Sequence, residues 1–303
     1  MPKTPLISVI ILTYNHEDFI AKAIEGVYMQ NTNIPIELIV SNDCSSDNTD
    51  LIIQDLIKRC PNNIDFKYYK HEKNIGATPN FYWALKQTTG QYLSFCEGDD
   101  YWNDPEKLQS QYDFLETHPD YSMCFHQVEN VFLEENSTKS LFAKIENKDY
   151  TMLEIYQHWI VHTTSVFMRT NVLQNEAAME LVKHPELLYF DTFLYLACGL
   201  TGKIRGSNKT MSCYRRHEAG ISNGINHKRD LRHNHLDEII AQTYEGKIKE
   251  SANWQIFSRS RNALFGCVQK GDFLLAFQHL FWILKKKGNL KIYLLKKLKS
   301  CTF

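Results

Sequence analysis

Three carboxylates fall within four residues at Glu97-Gly98-Asp99-Asp100, directly after an apolar run at 91–96. Like charges this close repel, and folding gathers them only where a cation offsets the repulsion. Oxygen ligands of this kind suit Mg2+ or Mn2+, which bind one or two carboxylates together with substrate phosphates. The plainer alternative is a solvated acidic turn capping the next helix, but Asp104, next to Pro105, already fills that role. A further acid, Asp43, closes the apolar run 36–43 and precedes Cys44-Ser45-Ser46-Asp47. An acid at the end of a parallel strand can accept hydrogen bonds from a ribose or a base edge; a simple turn would use it equally well.

The elements that must position these acids alternate. Runs at 8–15, 36–43, 66–71 and 91–96 read as strands, the first two apolar enough to be buried on both faces. Between them, 17–29 has helical apolar spacing, and Ser45, Ser46 and Asp47 offer caps for a helix to about residue 59. Thr78-Pro79 and Asp104-Pro105-Glu106 open helices that reach about residues 88 and 117. This order predicts a parallel sheet covered by helices, with right-handed crossovers that put all strand ends on one edge. Thr13-Tyr14-Asn15, Ser41-Asn42-Asp43 and the acidic quartet would then converge on one cleft, where open α/β sheets bind ligands. Further on, 121–132 reads as a strand and a polar insertion to 150 as a lid candidate. Thr151 and Glu154 fit a capping box. A strand at 165–169, a helix at 190–200 with Asp191 in its first turn, and short strands at 203–208 and 211–216 follow. From about 228 the pattern is helical.

The ordered set TYN, IVSNDCSSDNT, NIG and GQYLSFCEGDDYWNDPEKL resembles glycosyltransferase family 2, over about residues 6–223. The resemblance implies a GT-A-like α/β fold: a mixed, mainly parallel sheet with helices on both faces, plus a C-terminal helical extension. It implies a catalytic domain at 1–226, with a nucleotide-binding half at 1–118 and an acceptor half at 119–226. A Lys-rich helical module would occupy 227–303. By the same resemblance Thr13, Tyr14 and Asn15 line a uridine pocket, Asp43 binds uracil, and Asn74 and Gly76 shape the nucleotide cleft. EGDDYW is a variant of the family's Asp-x-Asp motif, with Asp99 as metal ligand, Glu97 nearer the ribose, and Gly98 and Asp100 beside them. The stretch YFDTFLYLACGLTGKIRGSNKTMSCYRRHEAGIS resembles the second signature. There Asp191 matches the general base, His217 would reach the metal or diphosphate, and Arg215 and Arg216 would neutralise the leaving group. HTTSVFMR resembles the acceptor-side stretch. Pro79 stands where many members carry Arg, removing one cation from the diphosphate.

The resemblance therefore implies an inverting transfer from a UDP-sugar to a glycan or lipid-linked hydroxyl, aided by Mn2+ or Mg2+, in surface polysaccharide synthesis. Alternatives are a non-catalytic sugar-nucleotide or glycan-binding relative, a nucleotidyltransferase, or a glycosidase. The second of these wants a glycine-rich basic loop after the first strand, and Tyr14-Asn15-His16-Glu17-Asp18 is neither. Neither G-x-G-x-x-G nor a P-loop occurs. A net charge of −1 gives no global basic field for nucleic acid. Eight scattered cysteines without Cys-x-x-Cys read as free thiols in a reducing cytoplasm. No run reaches the length of a membrane span. Residues 273–303 hold seven Lys and no acid among Leu, Phe, Trp and Ile, which predicts a helix packed on the body or peripheral contact with an anionic inner membrane face.

Overall fold

A computed structural model of the chain describes residues 6–132, 140–174, 190–217, 226–290 and 293. The chain divides into two compact units, 1–183 with 189–220 and 184–188 with 221–303.

The first unit opens with β1 (Ile7–Thr13), α1 (Ile20–Tyr28), β2 (Ile36–Asn42), α2 (Thr49–Ile57), β3 (Ile64–Lys70), α3 (Ala77–Leu85) and β4 (Tyr92–Glu97). These strands pair in parallel in the order β3-β2-β1-β4. Alternate residues of β1 serve opposite faces, as the strand period requires. Val9 and Ile11 pack with Ile20, Ile24 and Ile53, whereas Ile10 packs with Phe81 and Leu93. Both faces are thus covered by helices, which is why β1 and β2 are apolar throughout rather than alternating.

The sheet continues through β5 (Tyr101–Trp102), α4 (Lys107–Thr117), β6 (Tyr121–Phe132), β7 (Ser140–Leu141), β8 (Asp149–Tyr150), α5 (Met152–His158), β9 (Phe167–Arg169), α6 (Phe190–Thr201) and β10 (Lys203–Arg216). Beyond β4 the order is β9-β6-β10-β5, with β9 antiparallel to both neighbours and β10 parallel to β6. This is the mixed, mainly parallel sheet with helices that the sequence predicts. Its consequence is geometric: the carboxyl ends of β1, β2 and β4 share one edge.

Local departures have local causes. α3 begins at Ala77 rather than after Thr78, because Gly76 (φ 89°) turns the chain early. Pro79 then sits in the first turn, where its missing N–H costs nothing. Instead of two short strands, β10 runs unbroken for 14 residues, and register shifts against β6 near Ser207 and Thr210 absorb the polar Asn208-Lys209. The described part of the polar insertion is no free lid: β7 and β8 pair with β6 and β10, and Ile145 is buried. Residues 133–139 lie outside the described residues. The Thr151–Glu154 capping box forms, with both reciprocal hydrogen bonds present.

The second unit packs three helices, α7 (His227–Thr243), α8 (Gly246–Gln269) and α9 (Phe273–Lys285). Asn226 caps α7 and Asp272 caps α9 through their side chains. Asn234 donates to Ser260 Oγ at 2.7 Å, and Arg259 bonds Asn234 and Asp237 in the buried seam between α7 and α8. α9 buries only Leu275, Ala276, His279 and Trp282. Among the described residues no helix is long and apolar enough to cross a membrane.

Candidate active site

The acidic quartet leaves β4 against the end of β1. A Cβ on Gly98 would stand 2.6 Å from His16 Nδ1, 2.8 Å from Thr13 Oγ1 and 2.9 Å from the Leu12 carbonyl. Only glycine lets the loop pass, and the Gly98 N–H donates to Leu12 O at 2.8 Å. The loop then presents Asp99 to two imidazoles: Oδ2 is 3.1 Å from His217 Nε2 and 3.9 Å from His16 Nε2. Burial pushes the Asp99 carboxyl up, but hydrogen bonding to His217 and the nearby His16 outweigh it and hold Asp99 below the usual range.

The neighbouring acids go the other way. Burial, then Asp99, then Asp191 push Glu97 up to about 8. Burial beside Asp99 and Glu97 lifts Asp100 well above its ordinary value, although its Oδ1 accepts from the Arg215 N–H at 3.1 Å. Among the described residues, Glu97 Oε2, Thr13 Oγ1 and His16 Nδ1 are buried and find no hydrogen-bond partner. Buried polar groups are seldom left so, and this clustering around the acidic loop marks a site completed by a polar ligand. Among the described residues no group of three or more His, Cys, Asp or Glu could hold a metal ion alone. Asp99 and His217 nevertheless supply an oxygen and an imidazole donor side by side. That set fits Mn2+ or Mg2+ whose other positions go to phosphate and water.

The cluster at the end of β2 is built from backbone grips. Asp43 Oδ1 and Oδ2 accept the Ile75 and Gly76 N–H groups, each at 2.8 Å, tying the end of β2 to the loop before α3. Asn74 Oδ1 also accepts from Gly76 N, at 3.0 Å. Asn15, at φ 54°, donates its N–H to Ser45 Oγ and accepts the Ser46 N–H, so the ends of β1 and β2 are joined. Thr13 is buried and Tyr14 is 45% exposed at the rim.

Across the acidic loop, Asp191 opens α6 and accepts the Thr192 N–H at 2.8 Å. Burial raises it to about 6. The Thr163 hydroxyl lies close to both Glu97 and Asp191 and works against burial at each carboxyl. Thr163 starts a 3-10 turn, Thr163–Ser165. His162, just before it, stands 3.8 Å from Asp100 and is pushed to about 4 by burial. Arg215 directs its guanidinium at the carbonyls of Phe19, Asp99 and Asp100, and lies over the Phe19 and Tyr101 rings. It braces the acidic loop from behind. Arg216 lies over the Tyr214 ring.

The structure thus brings Thr13, Glu97, Gly98, Asp99, Asp100, Asp191, Arg215 and His217 around one loop. Asp43, Asn74 and Gly76 form a second cluster, at the end of β2. His16 and Thr163 were not singled out from the sequence. The only sequence signal for them is adjacency: His16 follows Thr13-Tyr14-Asn15, and Thr163 lies in HTTSVFMR.

A mixed, mainly parallel sheet whose acidic loop leaves β4 at the carboxyl edge, with a buried acid at a helix start, is a GT-A-like arrangement. Residues 8–176 match the model of glycosyl transferase family 2, and the chain belongs to that family. An uncharacterised protein of Mycobacterium tuberculosis is 33% identical over 215 residues, which cover 71% of this chain. The match spans 60% of the length of that relative. The Escherichia coli UDP-Glc:alpha-D-GlcNAc-diphosphoundecaprenol beta-1,3-glucosyltransferase WfaP is 30% identical over 221 residues, 72% of this chain and 80% of its own. In fold, the chain is similar to residues 1–349 of Staphylococcus aureus TarS in complex with UDP-GlcNAc. That match has a TM-score of 0.63 at 20% identity and covers 86% of this chain and 73% of that one.

Proposed function

We propose that the chain is an inverting glycosyltransferase that moves a sugar from a UDP-sugar to a hydroxyl of a glycan or lipid-linked acceptor in polysaccharide synthesis. The observation that carries this reading is the pairing of Asp99 with His217 beside a separate buried carboxyl, Asp191, which is near enough to the loop to act on Glu97. Asp99 and His217 would hold the divalent cation, whose chemistry there is to neutralise charge gathering on the leaving diphosphate. The Asp43 clamp sets the loop at 74–76 against which the base would lie. Asp191 takes the proton from the attacking hydroxyl on the face opposite the leaving group, and attack from that face inverts the anomeric carbon. The diphosphoundecaprenol in the WfaP name supports a lipid-linked acceptor. Peripheral contact of residues 273–303 with an anionic bilayer would fit such a substrate.

Calorimetric titration of UDP, with Mn2+ and then with EDTA, tests the donor side. Binding should need the cation and be lost in Asp99→Ala. Asp191→Asn should keep UDP binding and lower transfer by roughly 10²- to 10⁴-fold, the usual weight of a general base. UDP binding that ignores both EDTA and Asp99→Ala would overturn the metal assignment.

A further inference from the structure

Lys107 is fully buried at the start of α4, and no part of the reaction above uses it. Its ammonium donates to Ser94 Oγ at 3.0 Å and to Gln111 Oε1 at 2.8 Å, and lies 4.1 Å from the centre of the Trp102 ring. Each of these three side chains does the same job next. Trp102 Nε1 donates to Thr164 O at 3.0 Å, Gln111 Nε2 to Ser165 O at 3.0 Å, and Ser94 Oγ to Val166 O at 2.8 Å. Three successive carbonyls are therefore held by three side chains that all converge on one ammonium. Those carbonyls belong to the turn that carries Thr163.

Burial, with no carboxylate facing it among the described residues, pulls Lys107 down to about 7, so what holds the group in place is the use of its N–H donors, which the neutral amine keeps. Here two N–H groups fill hydrogen bonds and the third side of the charge meets the π face of Trp102. The ammonium also orients its partners. By donating to Gln111 Oε1 it fixes which end of the amide faces Ser165, and by donating to Ser94 Oγ it leaves the hydroxyl proton for Val166. Methionine in its place fills similar volume but orients neither.

We propose that Lys107 is a positioning residue for catalysis: through Ser94, Gln111 and Trp102 it fixes the 163–166 backbone and so sets the Thr163 hydroxyl against Glu97 and Asp191. Its catalytic meaning rests on the reading of Asp191 as the base; the backbone effect does not.

The test is Lys107→Met in the full chain, with two readouts. Hydrogen exchange is followed at the Ser165 and Val166 amides, which close the turn onto His162 O and Thr163 O. It should rise at least 10-fold there and stay unchanged in β1 and β2. Initial rates with UDP-glucose and UDP-GlcNAc as probes should show kcat falling roughly 10- to 100-fold, the cost of a misplacement near 1 Å, with UDP affinity unchanged. Thr163→Val combined with Lys107→Met should then cost less than the product of the single effects. Unchanged exchange at Ser165 and Val166 overturns the proposal. So does a rise spread evenly over the chain, which marks a purely structural lysine. If Lys107→Met does not fold, Ser94→Ala removes one arm and should free Val166 first; equal exchange in that variant and wild type has the same overturning force. Failure of wild type to bind UDP would sink the proposed function, yet leave the exchange result readable.

Discussion

Asp191 and Asp99 are the same side chain in two surroundings, and the surroundings assign the roles. Asp99 faces two imidazoles, which hold its carboxyl below the usual range and suit it to the proposed cation. Asp191 is buried and accepts the Thr192 amide, and burial moves its carboxyl up to about 6. A general base works only when ionised. The transfer rate should therefore rise with pH through about 6 and level off above it. Initial rates from pH 4.5 to 8 check this, and a rising limb that persists unchanged in Asp191→Asn would remove Asp191 from the role. At this scale placement was legible where a type and a motif coincide: Asp99 of EGDDYW does meet His217 after Tyr-Arg-Arg, and Asp191 does stand at a helix start. It was not readable where a role depends on a partner far along the chain. Thr163 is defined by Glu97, 66 residues before it, and by Asp191, 28 residues after it, and a lone threonine carries no mark of either. Arg215 shows the converse. Its charge suggested a phosphate partner, whereas its guanidinium is directed at backbone carbonyls of the loop it supports.

At the scale of elements, the parallel strands are locked by a buried acid that the apolar pattern concealed. Glu37 is the second residue of β2 and has no exposure. Its carboxylate accepts from Ser8 Oγ in β1, from Lys67 in β3, and from the N–H and hydroxyl of Thr89 just before β4. Burial alone would raise this carboxyl, but the donors of Lys67, Ser8 and Thr89 prevail and hold it below its ordinary value. The sign follows from that depression. The contribution to stability is complete above the unfolded value, about 4.3 for Glu, and fades as pH drops through the lower folded value. Glu37→Gln keeps the shape but leaves Lys67 without its charge partner. It should destabilise by about 3 kcal/mol at pH 7, in the range for a broken buried pair, and flatten the loss of stability between pH 5 and 3. Urea midpoints at each pH measure both effects, and an acid profile identical to wild type would refute the role. The strand and helix order was legible because hydrophobic runs and capping residues are local signals. The start of α3 and the continuity of β10 were not, because one depends on Gly76 held by Asp43 from another strand and the other on the ladder supplied by β6.

For the molecule as a whole, the charge asymmetry of the sequence finds a surface in the second unit. α9 turns Phe273, Leu274 and Phe277 to solvent at 71%, 75% and 69% exposure, with Phe281 and Leu284 continuing the row. Lys285 and Lys286 follow but pair with Glu238 of α7, which leaves, among the described residues, exposed Lys287 as the cation beyond its end. An apolar row ending in a cation is the pattern of a helix lying in a membrane interface, each Lys near an anionic surface adding about 1 kcal/mol. The full chain should sediment with vesicles containing 30% phosphatidylglycerol and much less with pure phosphatidylcholine. Phe277→Glu with Phe281→Glu should weaken that binding at least 10-fold. Equal sedimentation of variant and wild type would turn attention to a protein partner for this face. The first unit has a different kind of asymmetry, one of order along the chain. Asp99 and His217 are 118 residues apart. At a synthesis rate of roughly 5–20 residues per second, the acidic loop leaves the ribosome about 6–24 seconds before the histidine that pairs with it. Until β10 inserts beside β6, the loop also lacks the Arg215 brace. The last strand of this unit to be made is thus the one that both closes the sheet and brings His217 to Asp99, so a nascent or truncated chain carries the acidic loop without its histidine partner or its brace.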